Sequence, residues 1–331
     1  MNRRTFVRGA VGGALALGSG GVIEALRRES TFGYDGIEVL GPGVERITPN
    51  ERFYVVTKNL IDPRVVRERW RLELSGLVTA PRTLDFAALE RMGGVDQETT
   101  LECISNAVGH GLISNAVWTG IPLGELIESA RPESGAQRVF FHAADGYTHS
   151  TTLEKAVEPT TLLATRMNGE PLPDRHGFPA RLIVPGTYGE VSVKWIDRIE
   201  LVDDDRQGYY EKQGWKAQRV HTMSRIDAPG KKSRLRGTTR IRGVAFAGDR
   251  GISKVEVSTD GGRSWREADL DYMPSKLTWA HWSLGWSPSR GEHELVVRAT
   301  DGNGEPQETK KDDSVPDGAT GLHRVGVRAE A

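Results

Sequence analysis

Thr100-Leu-Glu-Cys103-Ile-Ser-Asn106, followed by Leu112-Ile-Ser-Asn-Ala-Val-Trp118-Thr-Gly-Ile-Pro122-Leu, is the stretch on which the reading of this chain turns. It contains the single cysteine among 331 residues. A lone cysteine is most often a small, buried apolar side chain. A thiolate is also a soft ligand, suited to a soft or redox-active metal. With one cysteine no intramolecular disulfide forms, so cysteine usage does not reveal the compartment.

Length and composition bound the rest. At roughly 150 residues per domain there is room for two domains. Hydrophobic residues make up 37% and charged residues 27%, ordinary values for a globular protein. A formal net charge of -1 calls for no polyanionic partner, which argues against nucleic acid. Residues 1–30 form a separate segment. Asn2-Arg3-Arg4-Thr5-Phe6-Val7-Arg8 precedes a run of small and apolar residues from Gly9 to Val22. A charged region ahead of a short apolar one is the pattern of an export signal, and the paired arginines point to the twin-arginine route. The expected location is periplasmic. The run is shorter than the ~20 residues of a comfortable membrane span. No Ala-x-Ala cleavage site follows Ser19-Gly-Gly, so retention as an N-terminal membrane anchor stays open.

Residues 31–222 read as one domain of short, mixed elements, an α+β class. Trp70 to Val78 alternates apolar and polar residues, which predicts a strand. Pro81 to Met92 predicts a short helix capped near Thr83 or Asp85. Thr99–Ile104 predicts a strand leading to Cys103, and Pro122–Ala130 a helix with proline in its first turn. Arg138–His142 reads as a buried strand, and Leu153–Ala156 and Thr160–Ala164 as helical turns. Ala180–Val184, Ser192–Ile196 and Arg198–Val202 complete the domain as strands. From 222 to 236 the chain is polar and turn-rich, as at a crossing between domains. Residues 223–331 then show only strand patterns, at Gly237–Phe246, Ile252–Ser258, Trp279–Leu284 and Glu294–Thr300. Leu295, Val297 and Ala299 share one face. The turns Asp260-Gly-Gly and Asp301-Gly-Asn-Gly separate these runs, which predicts an immunoglobulin-like β-sandwich without the usual cysteine bridge.

Four further stretches join the cysteine segment in order. They are Met167-Asn-Gly-Glu-Pro-Leu-Pro with His176-Gly-Phe-Pro-Ala-Arg181-Leu-Ile-Val-Pro-Gly, Ser192-Val-Lys194-Trp195, Val257-Ser-Thr-Asp-Gly-Gly-Arg-Ser-Trp265 and Val297-Arg-Ala-Thr-Asp-Gly302. Together they resemble the sulfite oxidase family over nearly all of residues 45–331. The resemblance implies a molybdenum-molybdopterin cofactor with Cys103 as the metal ligand. It implies that His176 and Arg181 hold the pterin and its phosphate, and that Ser192, Val193 and Lys194 form the loop closing on it. Tyr54 and Val55 match residues flanking the pterin, and Asp145 matches an acidic contact. Asn106 either faces the metal or caps its loop. Trp118, Trp195 and Trp215 either line the site or pack the core. The C-terminal part resembles the family's dimerisation domain, which implies a homodimer. The chemistry agrees, because a buried phosphate needs cationic donors and Arg and Lys supply them. Read singly, His176 is also a turn histidine, Lys194 an exposed strand residue and Asp145-Gly146 a plain turn.

Departures from the family concern the substrate. Where sulfite oxidases carry an arginine after Tyr-Val, this chain has Val56. Where they carry arginines after the cysteine it has Ala107 and Val108, and Trp215 replaces a tyrosine. A dianion is normally met by arginine forks, so these residues suit a neutral, partly apolar substrate better, unless Lys58 or His110 compensates. No Cys-x-x-Cys-His haem motif is present, so electrons are expected to pass to a separate carrier, a cytochrome or quinone-linked protein. Three functions compete: a sulfite-type oxidase, a reductase of S-oxides or N-oxides resembling periplasmic methionine sulfoxide reductase, and a cofactor-free binding protein using its sandwich for adhesion.

Overall fold

The structure is a computed structural model that describes residues 34–35, 44–216, 219–312 and 314–330; the N-terminal export pattern lies outside them. In chain order the first elements are β1 (Tyr34–Asp35), β2 (Val55–Val56), β3 (Arg71–Gly76), β4 (Arg82–Asp85), α1 (Phe86–Met92), β5 (Val95–Glu102), β6 (Ile113–Pro122), α2 (Leu123–Ser129), β7 (Arg138–Ala143), β8 (Thr148–Thr152), α3 (Leu153–Ala156), β9 (Leu162–Met167), β10 (Glu170–Pro171), β11 (Arg181–Ile183) and β12 (Ile196–Val202). One sheet runs β10-β9-β6-β5, with β11 beside β9, and a second runs β4-β3-β12-β7-β8. In β3, buried Leu72 and Leu74 alternate with exposed Arg71 and Glu73, the period-two pattern of a half-buried strand. They pack with Phe141, Ile199 and Leu201 of the same sheet, Leu163 and Leu182 of the other, and Leu126 and Ile127 of α2. Each such fully buried side chain contributes about 1.5–3 kcal/mol.

The remaining strands are β13 (Met223–Ala228), β14 (Arg234–Leu235), β15 (Thr239–Phe246), β16 (Ile252–Ser258), β17 (Arg266–Glu267), β18 (Asp269–Tyr272), β19 (Ala280–Trp286), β20 (Gly291–Asp301) and β21 (Arg324–Ala329). They form sheets β13-β15-β19-β18 and β14-β21-β20-β16-β17. Ile241, Ala245, Trp282 and Leu284 of one sheet meet Val255, Val257, Leu295, Val297 and Ala299 of the other in a shared core. The arrangement is a two-sheet sandwich.

Four sequence expectations are corrected. Thr160–Ala164 is not a helical turn, because Leu162–Met167 pairs with β6 as the strand β9. The first half of the expected helix at Pro81–Met92 is the strand β4. The helix starts only at Phe86, where the Asp85 side chain accepts from the Ala88 amide. Ser192–Trp195 is a loop, with Trp195 at φ 53°; its apolar residues point into a folded-back turn and not onto a pleat. Ser224–Ala228 is already a sandwich strand with Arg225 and Asp227 buried, the two side chains forming an ion pair with one another. The first domain is mostly sheet, with three short helices among the described residues.

The sandwich packs behind the strands that carry the cysteine. Ile104, Ile113, Tyr188 and Trp215 cluster with Val244, Phe246 and Trp279. The Trp279 amide donates to Thr100 Oγ1 at 2.8 Å, and Arg225 Nη1 donates to the His110 carbonyl at 2.7 Å.

Candidate active site

Cys103 stands just past the end of β5, at the start of the loop into β6. Its amide donates to the Leu112 carbonyl and its carbonyl accepts from the Asn106 amide. Asn106 braces the same loop: its side chain donates to Glu102 Oε1 at 2.8 Å and accepts from the Leu112 amide at 2.9 Å. Cys103 lines a partly open cavity. Burial, opposed by the Ser105 amide and added to by Glu190 and Glu102, pushes this thiol up to about 12. At neutral pH it is protonated and no nucleophile. A metal cation is the partner that would ionise it.

The opposite wall comes from the turn at 174–177, β11 and the loop before β12. Gly177, at φ +110°, sits where a Cβ would lie 3.0 Å from that of Lys194 and 3.1 Å from that of Arg181. The glycine therefore lets the two cationic side chains leave neighbouring backbone positions. Arg181 is buried. It donates to the carbonyls of His176 (3.1 Å) and Ser192 (3.2 Å) and lies over the Trp118 ring. Burial lowers its pKa to about 10. Lys194 donates to the Arg175 carbonyl at 3.1 Å, and burial lowers it to about 7. Among the described residues neither cation has a carboxylate in ion-pair contact. His176 Nε2 lies 2.8 Å from the Asn50 carbonyl. A carbonyl only accepts, so Nε2 carries the proton and Nδ1 is the ring's acceptor. Burial and the neighbouring Arg181 push His176 down to about 3, so it is neutral. The Ser192 hydroxyl accepts from the Val184 amide at 3.1 Å.

The structure gathers Tyr54, Val55, Cys103, Asp145, His176, Arg181, Ser192, Val193, Lys194 and Trp215 around this one cavity. Asn106 does not line it; facing the metal is corrected to bracing the loop, because both ends of its amide are already engaged. Asp145 belongs to a turn and to the cavity wall at once. It accepts from the Tyr147 amide and from Asn59, and lies 3.7 Å from Lys58. Trp195 lines the cavity, whereas Trp118 is buried beneath Arg181. Of the residues departing from the family pattern, Val56 and Trp215 line the cavity and Ala107 and Val108 do not; of the two compensating cations, Lys58 does and His110 does not. Tyr147, Glu190 and Tyr210 also line it and were missed by sequence reasoning. Tyr210 stacks on Trp215 at 4.1 Å and 11°, and Glu190 lies just two residues before Ser192 in a quoted motif.

This donor set fits a metal–pterin phosphate. Two buried cations without carboxylates await an anion, and a single thiol awaits a cation. Among the described residues no group of three or more His, Cys, Asp or Glu is placed to hold a metal, so the remaining ligands would come from the cofactor itself.

Comparison with known proteins agrees. Residues 59–210 match the oxidoreductase molybdopterin binding domain family, and residues 215–326 the Mo-co oxidoreductase dimerisation domain family. Sulfite oxidase of Arabidopsis thaliana is 30% identical over 281 residues, covering 70% of this chain and 72% of that protein. A nitrate reductase of Fusarium oxysporum is 29% identical, covering 61% of this chain but 28% of the enzyme's length. The sulfane dehydrogenase SoxCD from Paracoccus pantotrophus superposes with a TM-score of 0.72 at 26% identity, over 80% of this chain and 75% of that chain. The chain belongs to the sulfite oxidase family: it is a molybdopterin-dependent oxidoreductase whose cofactor is molybdenum-molybdopterin.

Proposed function

We propose that the protein is an exported enzyme catalysing two-electron oxygen-atom transfer on a small, neutral sulfur or nitrogen compound. The observation that carries this reading is the charge balance of the cavity. Arg181 and Lys194 are the cations held without carboxylates, and both sit on the wall where the cofactor's phosphate would be gripped. Lys58 is tied to Asp145, its Nζ donating to the Asp145 carbonyl at 2.8 Å. The walls beyond include Val56, Tyr147, Glu190, Tyr210 and Trp215, and Arg175 lines the cavity too but is already engaged. This leaves a substrate region that is largely aromatic and apolar, where a dianion would lose its hydration without a free arginine fork to replace it.

When bound, the cofactor would supply a redox-active metal capable of two-electron oxygen-atom transfer. The chain's own residues do the rest. Cys103 holds the metal. Arg181, Lys194 and the Ser192–Lys194 loop hold the phosphate. His176, neutral and with Nδ1 as acceptor, meets donor groups of the pterin. The aromatic wall orients substrate and excludes water. A reductase of S-oxides or N-oxides fits these walls better than a sulfite oxidase, though the likeness to sulfite oxidase and to sulfane dehydrogenase keeps sulfur chemistry foremost.

Export rests on Arg3-Arg4 and the apolar run behind them, and places the enzyme in the periplasm by the twin-arginine route. A cytochrome or quinone-linked carrier would exchange the electrons. The match to a dimerisation family supports a homodimer, and the two-sheet sandwich supports the immunoglobulin-like reading of residues 223–331. The test is molybdenum analysis of purified protein with a panel of sulfite, dimethyl sulfoxide, methionine sulfoxide and trimethylamine N-oxide. The expected result is stoichiometric molybdenum and turnover of a neutral oxide. A molybdenum-free protein, or one with micromolar KM for sulfite and no turnover of neutral oxides, overturns the reading.

A further inference from the structure

Glu190 is a half-buried acid of this cavity that the site described so far does not use. It sits in the turn between Tyr188 and Ser192, fixed by its neighbours. The Gly189 amide donates to the Glu102 carbonyl at 2.7 Å, and the Tyr147 hydroxyl donates to the Glu190 backbone carbonyl at 2.9 Å. Gly189 is needed here because a Cβ would strike the Tyr54 hydroxyl. The backbone of residue 190 is thus committed, but its side chain is not. Both carboxyl oxygens are shielded from solvent and have no hydrogen-bond partner among the described residues. Among the described residues no cation pairs with them, and the charge that acts on the group is the like charge of Glu211.

A buried polar group without a partner is rare and calls for an explanation. A structural carboxylate would be expected to have a cation or amide partner, as Asp227 has in Arg225. Glu190 instead lines the cavity that Cys103 and the Tyr210–Trp215 stack also line. We propose that Glu190 is a specificity-determining residue of this pocket, its carboxyl group donating a hydrogen bond to the oxygen of a neutral S-oxide or N-oxide substrate. Burial first, and Glu211 second, push the carboxyl up to about 8, which keeps the proton it donates.

This rests on the oxygen-transfer reading above, and the experiment separates the two. Glu190→Ala, Glu190→Gln and wild type are prepared as cofactor-loaded full chains, and molybdenum and pterin are quantified in each. Steady-state kinetics with dimethyl sulfoxide and trimethylamine N-oxide are paired with the inhibition constant of dimethyl sulfone, which tests binding without turnover. A lost hydrogen bond of this kind corresponds to about a 10- to 100-fold change. Glu190→Ala should lose that much in kcat/KM for the better oxide, with a matching rise in the sulfone inhibition constant and unchanged molybdenum. Glu190→Gln, which keeps a donor of the same reach, should stay within about threefold of wild type. If Glu190→Ala keeps molybdenum and both constants within twofold, this proposal fails alone. It also fails if Glu190→Ala loses molybdenum, since the residue is then part of the cofactor's seat. A wild type without molybdenum, or one that turns over sulfite and neither oxide, overturns the underlying reading and this proposal with it.

Discussion

Replacing Arg181 by methionine removes a buried charge while keeping most of its volume, and the structure says what should follow. Burial lowers the guanidinium's pKa from 12.5 to about 10. At about 1.4 kcal/mol per unit, holding that charge costs the cofactor-free fold on the order of 3 kcal/mol. Against this stand its bonds to the His176 and Ser192 carbonyls, each worth roughly 1.5–3 kcal/mol when the donor is charged. The opposing terms largely cancel, so the cofactor-free variant should lie within about 3 kcal/mol of wild type. Cofactor binding is another matter. Removing a charged partner from a buried anion costs about 2–5 kcal/mol, or roughly 30- to 4,000-fold in affinity. The assay is molybdenum per chain and released pterin on purified Arg181→Met, with urea unfolding of both proteins stripped of cofactor. Near-normal stability with little molybdenum is the expected pair of results. Unchanged molybdenum refutes the phosphate-holding role. A loss of more than about 4 kcal/mol in the stripped variant refutes the cancellation, and makes Arg181 a brace for the loops around it.

Cys103→Ser should fold and retain pterin but lose turnover, since a hydroxyl is a poor soft-metal ligand; full activity in the variant, measured beside its metal content, would remove Cys103 from the metal. Val56→Arg should raise kcat/KM for sulfite, whereas Val108→Arg should not, because Val56 lines the cavity and Val108 does not; equal responses would show the cavity assignment to be wrong. His281 and His323 are both held at about 4, by burial first and then by neighbouring cations, Arg46 and Arg225 for His281 and Arg225 for His323. Their folded pKa lies below the unfolded value near 6.5, so the unfolded chain binds more protons between pH 6.5 and 4. Their stabilisation is whole above about pH 6.5 and drains away as pH falls towards 4, up to roughly 3 kcal/mol each. Melting curves across that window should fall less steeply for His281→Gln than for wild type; parallel curves would mean that His281 titrates normally.

Legibility differed from one residue to the next for physical reasons. β3 and the first half of β15 were readable because one face is buried and the other is exposed, and β16 and β20 because apolar and polar residues alternate along part of each. β9 was not: Leu162, Leu163, Ala164 and Met167 are buried on both faces, so no alternation marks them and a short apolar run reads equally as helix. Cys103, Arg181 and Lys194 announced themselves through wording shared with a family, and the structure brings them to one cavity. Glu190 stands between two stretches of that wording and gave no signal. Its meaning lies in the absence of a partner, and an absence of that kind exists only once the neighbours are placed. Tyr147 and Tyr210 were silent for the same reason, being aromatic residues whose default reading is packing.

Two perturbed groups on facing walls make the same point in electrostatic terms. The Cys103 thiol is pushed up to about 12 and the Lys194 ammonium down to about 7, each chiefly by burial. No cation opposes the shift of the thiol, and Asp62 and Asp145 oppose that of the ammonium only in part. A fold that merely tolerated these side chains would have left them exposed, since uncompensated burial costs free energy on both sides of the cavity. A ligand that is cationic at one end and anionic at the other reverses both penalties at once: it draws the proton off sulfur and fixes the proton on nitrogen. Binding would therefore release about one proton and take up a fraction of one near pH 7, leaving the affinity only weakly dependent on pH for a thiolate-bound metal.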